Sequence, residues 1–284
     1  MIASSLASGL PGAARLRRAR SHRALGTGST LALGISMIWF SLLVLIPLVA
    51  VLISAAGLGI GGFWDIVTGP QTAAALRITV LESLAVTAVN VVFGTALAWV
   101  LVRDRFWGKR LLDIVIDVPF ALPTIVAGLV LLSLYGPQSP LGVDVANTRY
   151  AVFLALAFVT LPFVVRTVQP VLETLEHDVE EAAASLGASR MVTFRRVTLP
   201  SLVPAITAGA ALSFARGISE YGSLVLLSGN LPGRTEVASV RVLTYIENGN
   251  KEAAAAVAAI LLMVALAVIV VLDLLQRRVS RHGR

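Results

Sequence analysis

A chain of 284 residues that is 57% hydrophobic and 14% charged, with a mean hydropathy of +0.86, is composed for a lipid bilayer and not for water. Its net charge of +7 does not signal nucleic-acid binding, because the basic residues sit in short clusters at the ends of apolar runs. The absence of cysteine excludes disulfides, thiolate nucleophiles and iron–sulfur sites; His22, His177 and His282 have no metal-ligand spacing, and no Walker A pattern is present.

In chain order, residues 1–30 are small, polar and basic (Arg15, Arg17, Arg18, Arg20, Arg23) and predict a disordered tail on the cytoplasmic side. The Arg17-Arg18 pair is not a twin-arginine signal, since the apolar run that follows is too long for a signal peptide. Six apolar runs follow, near Leu31–Ser54, Ala74–Val102, Ile114–Tyr135, Tyr150–Val168, Leu202–Ser228 and Ala253–Leu275. A helix needs about 20 residues to cross a bilayer core, so the expected fold is an all-α integral membrane protein of six transmembrane helices over residues 31–276. A short basic tail, 277–284, ends the chain.

Lysine and arginine placement orients the bundle. Seventeen lie on one side: the N-terminal tail, Arg103, Arg105, Lys109, Arg110, Arg166, Arg190, Arg195, Arg196, and Arg277, Arg278, Arg281 and Arg284. Five lie on the other (Arg77, Arg149, Arg234, Arg241, Lys251), and Arg216 is within the membrane. Both termini are therefore expected in the cytoplasm of a multi-pass plasma (inner) membrane protein. The loops Ala55–Ala73, Gly136–Arg149 and Gly229–Glu252 face outward. Gly57–Gly62 reads as a flexible loop and not as a phosphate cradle, because it lacks the lysine and the following helix start.

Charges inside a bilayer cost at least about 2.5–3.5 kcal/mol each on insertion scales, so each demands a reason. Arg216 and Glu220, at i, i+4 in the fifth run, share one helix face and can neutralise each other. With Tyr221 they are candidates to line the translocation path or gate; the alternative is an ion pair that only locks helix packing. Asn90 in the second run is expected to hydrogen-bond between helices, and Arg77 and Glu82 to lie at the outer interface. Asp113, Asp117, Pro119 and Pro123 predict an irregular start to the third helix.

Between the fourth and fifth runs lies a polar segment, Glu180–Pro204, EEAAASLGASRMVTFRRVTLPSLVP. Val168, Leu172, Leu175, Val179, Ala182 and Leu186 recur at alternating spacings of four and three, predicting one apolar helical stripe that ends at Gly187. A second short helix, Met191–Val197, is expected to stop at Leu199-Pro200. Glu181-Ala182-Ala183, three residues, Gly187, nine residues, Val197, one residue, then Leu199-Pro200 resembles the EAA loop of ABC importer permeases, with Val197 where isoleucine is usual. The resemblance implies a type I permease bundle whose loop, about 169–200, docks on a cytoplasmic ATPase, with Glu181 setting its charge, Ala182 and Ala183 its close fit and Gly187 its turn.

The stretch NVVFGTALAWVLVRDRFWGKRLLDIVIDVPFALPTIVAGLVLLSLYGPQSPLG, with SFARGISEYGSLVLLSGN, is similar to the T-type (U-type) permease subunits of sulfate/thiosulfate importers, with Tyr221 where phenylalanine is common. That resemblance implies alternating access in a complex with a W-type permease, an ABC ATPase dimer that binds ATP and Mg, and an extracytoplasmic sulfate-binding protein. No cofactor, metal or catalytic residue is expected in this chain, and no nucleic-acid partner. The competing readings are a permease for another oxyanion such as molybdate, an ATP-independent secondary transporter, and a membrane enzyme; the last lacks any paired-carboxylate, Ser–His or metal motif at a membrane face.

Overall fold

The computed structural model describes residues 27–175 and 185–282, and all regular structure among them is helical. Contacts divide the chain into residues 1–48 and 49–284. The helix α1 (Thr27–Phe40) and a π turn (Ser41–Leu45) of the first unit are followed by α2 (Ile46–Ala56), whose residues from Val49 on belong to the second unit. Side chains of α1, among them Ile35, Ile38 and Trp39, are exposed and apolar, a surface suited to lipid.

In the second unit, α3 (Gly59–Thr68) leads into α4 (Pro70–Arg103), a 34-residue helix. The helices α5 (Lys109–Ala121), α6 (Thr124–Tyr135) and α7 (Arg149–Thr174) follow. After the polar segment, α8 (Arg190–Thr193) runs through a second π turn (Phe194–Thr198) into α9 (Leu199–Ile218). The short α10 (Gly222–Leu227), α11 (Ala238–Glu247) and the long α12 (Lys251–His282) complete the chain.

Five helical stretches are long and apolar enough to cross a membrane, and the bent pair α5–α6 makes a sixth. The third crossing is not the straight helix expected from Ile114–Tyr135: α5 and α6 meet at 119°. Pro123 explains the corner, because a proline ring pushes its predecessor out of the helical region, and Leu122 sits at ψ 136°. Two of the loops expected to face outward also differ from expectation. Ala55–Ala73 contains α3, which starts at Gly59 with φ +65°, and Gly229–Glu252 contains α11.

The fifth run departs most. Its helix does not begin afresh after Leu199-Pro200, nor does it reach Ser228. The helix runs unbroken through Pro200, giving a 28-residue stretch from Met191 to Ile218. Proline lacks the N–H that would bond four residues back, and its ring crowds that carbonyl. The π turn just before it widens the helix by one residue, so that the Leu199 N–H reaches back five to the Phe194 carbonyl. The same device precedes Pro47, where the Ile46 N–H bonds to the Ser41 carbonyl.

The helices α4, α7 and α9 form the centre. One apolar cluster gathers Ile78, Val86, Val152, Leu156, Leu224 and Leu227, and another gathers Leu101, Ile116, Val164, Val165, Val168 and Leu202. Between them runs a buried polar seam of Ser83, Thr87, Asn90, Thr160 and Ser213. Asn90 is the interhelical bond expected of it, with Nδ2 donating to Thr160 Oγ1 at 2.8 Å. Small residues bring backbones together, as membrane helices without a strong hydrophobic drive require. One close backbone approach is between α6 and α10, where a Cβ added at Gly128 would stand 2.7 Å from the Ser223 carbonyl oxygen. Gly128→Ala is therefore expected to destabilise the protein by about 1–3 kcal/mol, measured by thermal or denaturant unfolding in detergent.

Candidate functional site: a polar segment and two ion clusters

The polar segment leaves α7 at Leu175, whose ψ of 106° ends the helix. The apolar stripe expected over Val168–Leu186 is therefore not one helix face. Val168 and Leu172 are buried in α7, whereas Leu186 is 89% exposed beyond its end. Glu181, Ala182 and Ala183, like Val179, lie outside the described residues. Gly187 is where the turn was expected, at φ +81° and with open space where a Cβ would point, so the constraint on it is backbone conformation and not packing. Leu199 and Pro200 lie inside the continuous helix and do not terminate it. Met191 is 64% exposed, so this segment presents apolar side chains to its surroundings along with Leu186.

The expected Arg216–Glu220 pair forms, but not on one helix face. The helix α9 ends at Ile218, and Glu220 stands in the break before α10. Glu220 Oε2 lies 2.5 Å from Arg216 Nη2, with the carboxylate side chain 1% and the guanidinium 28% exposed. Glu220 Oε1 accepts from both the N–H and the hydroxyl of Ser223 at 2.9 Å, which caps the start of α10. The Glu220 carbonyl accepts from Ser239 Oγ at 2.6 Å, so α11 is tied to the same residue. Tyr221, 37% exposed, is the residue before α10 and flanks the break.

A second ion cluster was not anticipated. Arg166 of α7 makes a bidentate pair with Asp117, through Nε to Oδ1 and Nη2 to Oδ2, both at 2.7 Å. Its Nη1 donates to Asp113 Oδ1 at 2.7 Å and to Gln169 Oε1 at 2.6 Å, and its Nη2 to the Asp113 carbonyl at 2.8 Å. The signal was the carboxylate pair at i, i+4 in an apolar run. Arg166 was counted with the loop cations, although it lies eight residues inside α7. A third network, at the other end of the bundle, also escaped notice. Buried Glu236 accepts from Gln71 at 3.1 Å, and Arg241 stacks 4.4 Å above the Tyr245 ring. Among the described residues no group of three or more His, Asp or Glu side chains is placed to hold a metal ion.

Residues 90–282 match the family described as "Binding-protein-dependent transport system inner membrane component". The chain is 42% identical over 268 residues to the sulfate transport system permease protein CysT of Salmonella typhimurium, covering 92% of this chain and 97% of that relative. It is 44% identical over 256 residues to CysT of Synechocystis sp., covering 88% and 90%. Among solved structures, a chain of a bacterial alginate ABC transporter in complex with a pentasaccharide-bound periplasmic protein shares the fold, with a TM-score of 0.73 at 16% identity over 88% of this chain and 94% of that one.

Breaking a buried pair by removing one partner strands the other charge, at about 3–5 kcal/mol. Arg216→Ala should destabilise the protein by about that much, and adding Glu220→Gln, which keeps the Oε1 cap but removes the charge, should recover most of it. Glu220→Ala should not be rescued in this way, because the cap on Ser223 is lost as well. Unfolding of the wild type and these three variants in detergent checks the expectation.

Proposed function

The chain belongs to the binding-protein-dependent transport system inner membrane component family, and on that premise we propose that it is the sulfate-translocating permease subunit of an ATP-driven importer. It is a transport subunit and not itself an enzyme. The observation that carries the substrate is identity of 41–44% over most of the chain to relatives named as sulfate transport permeases. The proposed partners are a homologous W-type permease, an ABC ATPase dimer that holds ATP and Mg, and an extracytoplasmic sulfate-binding protein. The termini and the polar segment face the cytoplasm, a reading supported by the seventeen basic residues on that side against five opposite.

In this reading Glu181–Gly187 is the coupling segment, held between α7 and α8. The exposed Leu186 and Met191 offer an apolar contact to the ATPase surface, and the left-handed turn at Gly187 sets the angle at which they are presented. Because the helix continues through Pro200, a push on α8 acts on a single rod that ends at Ile218, two residues past Arg216. The break at Ser219–Tyr221 is where such a rod can change direction, which makes Arg216, Glu220 and Tyr221 the candidate gate. Specificity among tetrahedral oxyanions is left to the delivering protein.

Two measurements test this. Radiolabelled sulfate uptake should be lost on deleting the gene and restored by the intact transporter, and excess thiosulfate should compete where molybdate does not. Uptake that persists with a catalytically dead ATPase would instead indicate a secondary transporter. Gly187→Val, a branched residue at positive φ, should insert in the membrane but weaken the ATPase association by about 5–30-fold, from the roughly 1–2 kcal/mol strain of that backbone; copurification of the ATPase checks it.

A further inference from the structure

The helix α5 is thinly attached. Of its side chains Ile116 alone is buried, while Leu111, Ile114, Val115 and Phe120 are 50% exposed or more. The remaining tie to the bundle is to α7, through the Phe120–Phe163 edge-to-face contact at 5.0 Å and the four hydrogen bonds from Arg166 to Asp113 and Asp117. Those bonds are not interchangeable with a generic ion pair. The guanidinium fork is planar, and it grips Asp117 on one edge while reaching both the side chain and the backbone of Asp113. The rotation of α5 about its axis, as well as its distance from α7, is therefore fixed by one residue.

The position of this clasp gives it a consequence. Arg166 lies two turns before α7 ends and the polar segment begins. From α5 the chain turns the 119° corner at Leu122-Pro123 into α6. The helix α6 packs at Gly128 against Ser223 of α10, and Ser223 is the residue that Glu220 caps. A contiguous set of close contacts thus joins the end of α7 to the Arg216–Glu220 break by a route separate from the α8–α9 rod.

Resting on the reading of Glu181–Gly187 as the coupling segment, we propose that Arg166 is a positioning residue that makes α5 move with α7, so that displacement of the coupling segment turns the α5–α6 corner and reaches the gate from its second side. A clasp of this kind separates two properties that a merely structural residue would affect together: ATP hydrolysis by the assembled transporter, and the sulfate moved per ATP.

The test uses the complete transporter, with its partner permease and ATPase, in proteoliposomes. Arg166→Lys keeps the charge and loses the fork. It should still copurify with the ATPase and hydrolyse ATP, while sulfate transported per ATP falls by about tenfold, a typical coupling factor. Asp113→Asn with Asp117→Asn should give the same split. Transport per ATP at the wild-type level in either variant would overturn the proposal. The chain has no cysteine, so spin labels can be placed at Leu111→Cys on α5 and Thr174→Cys at the end of α7. In the otherwise unaltered transporter their distance should be the same in nucleotide-free and ATP-trapped states, and in Arg166→Lys it should change on trapping. A distance that changes on trapping without the Arg166 substitution overturns the proposal even if the substituted protein fails to assemble. An ATPase that does not bind the unsubstituted chain would instead defeat the coupling-segment reading.

Discussion

A carboxylate that is 1% exposed inside a membrane bundle must find its partners within the protein, since lipid offers none. Glu220 meets this demand with a cation on one oxygen and two donors on the other, and one of those donors is a backbone N–H. An uninterrupted helix has no such N–H to give. The break between α9 and α10 and the buried charge therefore require each other: the break frees the Ser223 amide, and the carboxylate satisfies it. Ser239 bonded to the Glu220 carbonyl, and Gly128 packed on Ser223, carry the same requirement into α11 and α6.

The requirement that backbone groups be satisfied also shapes the prolines, in two contrasting ways. Pro47 and Pro200 each follow a π turn, in which the preceding amide reaches back five residues and the helix goes on. Pro123 has no such turn before it; Leu122 is extended and the chain bends by 119°. The first solution lets the helix continue and the second makes a corner. In a protein whose proposed work is to convey movement, the location of each matters more than the number of prolines.

What the sequence disclosed and what it hid follow from the range of the interactions concerned. Apolar runs of spanning length are local, and they placed α4, α7 and α12, although α7 and α12 run six and seven residues past the expected ends. The i, i+4 spacing of Arg216 and Glu220 foretold the pair, because the distance holds whether the intervening turn is helical or broken. The break itself was not visible: Gly217 and Gly222 allow it, but only the caps on Ser223 and the Ser239 bond across 19 residues stabilise it. The assignment of Pro200 as a helix end applied a rule that holds in water-soluble helices, where the freed carbonyl can turn to solvent; here continuity through a wider turn satisfies more of the backbone. The fourth run already contained Arg166, but its pairing was not legible, since its partners lie 49 and 53 residues away on another helix. The α3 helix was missed because glycine-rich sequence lowers helix propensity, while its Phe63 and the buried Val67 gain more by packing.

The two ion clusters differ in a way that suits different tasks. Arg216 and Glu220 are 28% and 1% exposed, and separating them would strand a charge in the apolar interior. That pair resists rearrangement, and it fixes a point about which neighbouring helices are arranged. In the Arg166 cluster the carboxylates are 43% and 50% exposed, so they are far less enclosed by the protein than Glu220 is. The contribution of this cluster is geometric: a planar fork held by two carboxylates, a carbonyl and an amide oxygen allows one mutual orientation of α5 and α7. A joint that holds orientation at the less enclosed margin of the bundle can be carried along by the helix it grips, whereas a pair buried among several helices, like Arg216–Glu220, anchors them to one another.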